Sequence, residues 1–231
     1  MRRASLRATG AKRSRAVFSL QAFPVRRVAQ CLMLFPQDAE LQRAGCERLT
    51  RALIDASHGP SPASALSALI TEMRSAFLLP VVINAMEVHA STAHVLTASA
   101  RLLGCLANIE ATLRANIVAA GALPAISAAL RAHSGAPEVH ALCDLAAEIV
   151  SARGAPPGSR RSMCDALAAT GGLRAVLRAM RGHVKHEGIV GAACKVRASS
   201  SSALPMGLTT PALRTPSRPR LRPGLLHPRP L

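Results

Sequence analysis

Residues 108–150 read NIEATLRANIVAAGALPAISAALRAHSGAPEVHALCDLAAEIV. Three apolar, Ala- and Leu-rich runs are separated by residues that stop or start helices. The first run predicts a helix over about Glu110–Ala120, ended by Gly121. The second opens at Leu123-Pro124, with Pro in the tolerated first turn, and extends to Ala132. The third follows Ser134-Gly135-Ala136-Pro137 and extends to about Ser151. A unit of three short helices is the reading of this stretch.

The same phrasing recurs on both sides. NAMEVH ends at His89, AALRAH at His133 and RAMRGH at His183. Each closes a run that begins Leu78-Leu79-Pro80-Val81-Val82, Ala122-Leu123-Pro124-Ala125-Ile126 or Gly172-Leu173-Arg174-Ala175-Val176, nine residues separating the Pro or Arg position from the His. Six residues past each His stands an aliphatic anchor, Val95, Val139 or Ile189. A weaker copy has Phe35 in place of the His and Leu41 six residues on, so the marks lie 54, 44 and 50 residues apart. A base period of about 44 residues belongs to the helical solenoids. The longer intervals fall where Gly, Pro and Ser concentrate, at 57–64 and 152–159. Within the third helix of the unit before the quoted one, Val95, Ser99, Leu102, Leu103 and Leu106 form a stripe at helical spacing.

These features resemble the armadillo repeat. The resemblance rests on a first helix ending Ile117-x-x-x-Gly121-Ala122, a second opening Leu123-Pro124-Ala125-Ile126, and a third opening Pro137-Glu138-Val139. It covers about residues 20–194, as one good unit, two fair ones (about 62–107 and 159–194) and a partial first one (about 20–55). It implies an all-α fold, a right-handed α-solenoid of three to four imperfect repeats, in an ARM- or HEAT-like arrangement. It further implies a non-catalytic scaffold that binds a protein or extended peptide along a concave face lined by third helices. Peptide-carrying members display there a Trp and, four residues later, an Asn. The matching positions here are Glu47 and Arg51, Arg101 and Cys105, Asp144 and Glu148, and Lys195. None is Trp or Asn, so the nuclear-import type of peptide ladder is not implied. A mixed-charge face is expected instead, with Glu47, Arg51, Arg101, Cys105, Asp144 and Glu148 as candidate partner-binding residues.

Composition bounds the alternatives. Hydrophobic residues make up 49% of the 231, with four Phe and neither Trp nor Tyr, which favours helices over strands. The net charge of +17 lies mostly at the ends. Eight Lys/Arg precede Asp38 without an acid, and seven follow from Lys195 onward, while residues 37–194 hold fourteen basic against twelve acidic residues. A near-neutral centre without Trp or Tyr argues against a nucleic-acid groove in the folded part. The longest uncharged apolar-rich run near the middle, Ala115–Leu130, is 16 residues, short of the roughly 20 that a membrane span needs. The start, MRRASLRATGAKRSRAVFSLQ, resembles a mitochondrial or plastid transit peptide in its Arg, Ala and Ser content. A cytoplasmic location is the leading expectation, an organelle the second.

Residues 1–19 are therefore read as a basic N-terminal segment, 20–194 as the repeat domain, and 195–231 as a Pro/Arg/Ser-rich disordered tail. The tail fits either a genuine basic extension or an interrupted repeat. A solenoid lacking its polar cap is expected to be of low stability. The rival function is an organelle-targeted helical-repeat protein whose basic ends hold RNA or an anionic membrane.

No catalytic residue, metal or cofactor is expected. The sequence has no G-x-S-x-G, no G-x-x-x-x-G-K and no H-E-x-x-H. The six Cys, at 31, 46, 105, 143, 164 and 194, stand singly and are read as small buried hydrophobes. The pairs His89/His94, His133/His140 and His183/His186 lie in successive repeats and do not converge as a zinc site would require. The repeated His is read as a helix C-terminal residue favoured by the dipole.

Overall fold

Pro24 opens the described chain and cannot donate a backbone hydrogen bond, a property that costs nothing just before a helix. A computed structural model of the protein describes residues 24–135, 139–151 and 158–201. The readings made for residues 1–19, for Pro137-Glu138 and for 202–231 lie outside these. Every regular element among the described residues is a helix. In chain order they are α1 Val25–Leu34, α2 Ala39–His58, α3 Pro62–Ser75, α4 Leu78–Val88, α5 Ala93–Ile109 and α6 Ala111–Ala119. Then follow α7 Ala122–Ala132, α8 Val139–Ser151, α9 Ser159–Ala169, α10 Gly172–Gly182 and α11 Glu187–Ser201.

The helices fall into a pair (α1, α2) and three trios (α3–α5, α6–α8, α9–α11). Corresponding helices pack against each other in sequence: α2 on α5, α5 on α8 and α8 on α11, with α1 on α4, α4 on α7 and α7 on α10 beside them. One apolar core runs through all of them, from Val25 to Val196. The expected stripe on α5 is buried throughout. Ala98, Ala100 and Ala107 on α5, with Ala141, Ala146 and Ala147 on α8, are also buried. Small side chains at such positions let helix axes approach closely. Helix α8 has α5 on one side and α11 on the other, and its Val139, Leu142, Cys143, Leu145, Ala146, Ile149 and Val150 are all essentially inaccessible.

Within a trio, the first helix bends sharply into the second, by 65° between α3 and α4 and by 73° between α6 and α7. The residue at each such corner is left-handed: Phe77 (φ 50°), Gly121 (φ 91°) and Gly171 (φ 76°). Gly adopts this conformation freely, whereas an L side chain there costs roughly 1–2 kcal/mol. Gly172, next to this corner, has a steric reason of its own, since a Cβ there would overlap Leu167 Cδ1 and Ser127 Oγ. At the first corner of the chain, Asp38 caps α2 by accepting from Leu41 N at 3.2 Å. Buried Gln42 donates to the carbonyls of Leu32 (2.8 Å) and Phe35 (3.0 Å), which satisfies the end of α1.

The repeated histidines do more than the dipole reading supposed. His89 Nε2 donates to the Pro36 carbonyl at 2.8 Å, and His133 Nε2 to the Ala90 carbonyl at 2.8 Å. Each acceptor is the residue just past the end mark of the preceding repeat (Phe35, then His89). Each of these two histidines thus ties the end of its helix to the segment that follows the end of an earlier helix, α1 for His89 and α4 for His133. Register assigns Ser134 to His183, whose Nε2 is buried but makes no hydrogen bond with a described residue.

One boundary differs from the sequence reading. Helix α11 does not fail at Cys194 but continues to Ser201. Ile189, Ala192, Ala193 and Val196 are buried at helical spacing. Val196 sits between Lys195 and Arg197 and so passes for the start of a basic tail, although it is the last knob of the stripe.

Replacing His133 by Ala removes one tether and leaves the Ala90 carbonyl without it. A loss of about 1–2 kcal/mol is expected in urea unfolding. A change below about 0.5 kcal/mol would mean that the contact is no more than a surface feature.

Candidate mixed-charge groove on the third helices

The six expected partner-binding residues lie on α2, α5 and α8, whose mutual packing sets their spacing. Glu47 and Arg51 are one turn apart on α2, and Arg101 lies on the facing part of α5. These three meet at an open groove of about 560 Å³, walled also by Thr50, Ile54, His94, Thr97 and Ala98. Apart from His94, which the sequence set in a histidine pair, the additional wall residues were not singled out from sequence. Their signal is helical: each lies three, four or seven positions from one of the named residues.

The electrostatics differ along the stack. At one end, Arg43 Nη1 donates to both carboxylate oxygens of Glu47 (2.9 and 2.8 Å), and its Nη2 donates to Glu40 at 2.9 Å. Hydrogen bonds to Glu40 and then to Glu47 hold the Arg43 guanidinium above its ordinary basicity. His94 Nε2 lies 3.4 Å from Glu40. Glu47 is therefore already engaged. Arg51 and Arg101 are exposed, and neither makes an ion pair with a described residue. The α2–α5 groove thus offers two open cations.

The α8 positions are of opposite sign and mostly paired. Asp144 Oδ2 is 3.1 Å from His140 Nε2, and the His140 and His186 rings are 5.1 Å apart. Partial burial pushes the Asp144 carboxyl above its ordinary range, against the opposing pull of His140. Glu148 Oε1 lies 3.7 Å from Lys195 Nζ on α11. Lys195, the fourth position of the ladder, therefore forms an ion pair with the third.

Cys105 does not join the groove. It is half-buried against the core one turn beyond Arg101, and burial raises its thiol pKa. Cys46 and Cys143 are deeply buried, and desolvation pushes their thiols up to about 11 and about 12. Cys46 also lies 3.6 Å from Ser99 Oγ across the α2–α5 contact. No three His, Cys, Asp or Glu side chains are placed to hold a metal ion among the described residues. No single described helix is long and apolar enough to cross a membrane.

Searched against models of known protein families and against curated proteins, the chain finds no match.

The buried thiols give a pH dependence of known sign. A thiol with a raised native pKa stays neutral where the unfolded thiol, with a pKa of about 8.5, ionises. Its stabilising contribution is complete below that value and is lost as pH rises toward the native values of about 11 and about 12. Stability measured by denaturant unfolding should decline above pH about 8.5. At pH 8 in the native state, exposed Cys194 should react with a maleimide first, and Cys46 and Cys143 only on unfolding. Equal labelling rates for all six would contradict the burial.

Proposed function

We propose that the chain is an armadillo-type α-solenoid that holds an extended segment of a partner protein on the face formed by α2, α5, α8 and α11. The observation that carries this reading is the groove between α2 and α5, with two exposed arginines that no described acid neutralises. Sequential packing of corresponding helices supports the repeat arrangement, because it leaves one side of each third helix free along the stack. The face changes from open cations at Arg51 and Arg101 to engaged anions at Asp144 and Glu148. A bound segment complementary to it carries acidic residues at one end and fewer toward the other. Charge of this kind selects orientation and speeds encounter more than it adds affinity.

No catalytic role accompanies this reading. The acidic groups of this face, Glu47, Asp144 and Glu148, are engaged in surface pairs, each worth about 0–1 kcal/mol.

The double variant Arg51→Glu, Arg101→Glu tests the proposal. Partner proteins captured by the full chain should fall by at least about tenfold, with the far-ultraviolet circular dichroism unchanged. Unaltered capture of the same partners by the double variant would remove the groove from the account. Capture limited to nucleic acid or anionic lipid, and lost steeply between about 50 and 200 mM salt, would replace it with the reading in which the basic ends do the binding.

A further inference from the structure

The corner between α3 and α4 departs from the other two. Where they have Gly121 and Gly171, it has Phe77, held left-handed at φ 50° with the residue 71% exposed. Both features are unfavourable in the isolated chain, and an outlier of this kind is a pointer to function rather than its consequence. Phe77 stands at the lip of a half-enclosed cavity of about 250 Å³. The walls are apolar, with Ile70, Met73, Leu106 and Leu113 among them, and the polar groups are Arg74 and Asn116. None of these residues belongs to the charged groove.

Size and chemistry narrow the occupant. An apolar cavity of about 150 Å³ takes benzene, and pockets that enclose a drug-sized ligand begin near about 300 Å³. A cavity between these takes one short acyl chain. Arg74 is exposed and makes no ion pair with a described residue, and Asn116 offers an exposed amide. A guanidinium and an amide that line one cavity can together seat a carboxylate. We propose that this cavity binds an apolar monocarboxylate of medium chain length. The chain fills the space between α3, α5 and α6, the carboxylate meets Arg74 and Asn116, and the Phe77 ring lies along the chain. Phe in place of Gly then has a reason: the ring supplies apolar contact that Gly cannot.

Calorimetric titration of the full chain with decanoate, decanol and acetate tests the proposal. Decanoate should saturate at one equivalent, decanol should bind at least about tenfold more weakly, and acetate should give no heat. Arg74→Ala should bring decanoate down to the level of decanol. Phe77→Gly should raise the melting temperature by about 2–4 °C while weakening decanoate, which separates a ligand contact from a merely structural role. Leu79→Trp, which fills the cavity from its half-buried wall, should abolish binding. Absent or non-saturating binding of decanoate overturns the proposal, as does indifference to Arg74→Ala. An acetylated tripeptide ending in Leu that binds more tightly than decanoate also overturns it, in favour of a protein C-terminus.

Discussion

Packing of each third helix on the next is the contact on which the rest of the molecule depends. A helix such as α8 could not survive alone, since nearly all its apolar side chains would meet water, and isolated helices of its length are marginal. Between α5 and α11 it buries them on two sides. The Ala residues of α5 and α8 keep the axes close, and the larger Leu and Ile residues fill the space beside them. The second helices pack in sequence, α1 on α4, α4 on α7 and α7 on α10, and His89 and His133 reach the carbonyls of Pro36 and Ala90 beside them. The first helices α3 and α6 are bent away from their second helices by 65° and 73°. Each group of helices buries part of its apolar surface against the next, within one core.

The same packing makes the groove. A third helix that gives two sides to its neighbours and one to the core has one side left for solvent. The residues on it are free of the constraints of burial and hold mixed charge. Arg51 and Arg101 come together because α2 and α5 are adjacent, although fifty residues separate them in sequence. The pairing of Glu148 with Lys195 follows from the adjacency of α8 and α11 in the same way.

Much of this was legible before any coordinates. Stop and start residues at Gly121, Pro124 and the stretch before Val139 set the helices of the central trio within a residue or two. The recurring phrases set the register, and the armadillo resemblance laid on it named Glu47, Arg51 and Arg101, three of the eight residues that wall the groove. What could not be read is what depends on distance. The His marks were visible as repeats, but their acceptors at Pro36 and Ala90 lie 53 and 43 residues away. Phe77 was not recognised as the counterpart of Gly121 and Gly171, because a bulky residue gives no turn signal where Gly does. Val196 was hidden between two cations. Cys105 was assigned to the face from register alone, and it is half-buried against the core and not among the residues that wall the groove.

Whether corresponding helices form an open row or fold back into a closed bundle is measured most directly by the distance across the stack. Spin labels placed on α2 through Glu47→Cys and on α11 through Cys194, with the half-buried Cys31 and Cys105 changed to Ser, report it by electron–electron resonance. Three intervals of about 8–10 Å between axes predict a single distribution near about 25–30 Å. A dominant distance below about 15 Å would place α2 beside α11 and contradict the row, and with it the extended face on which the proposed function rests.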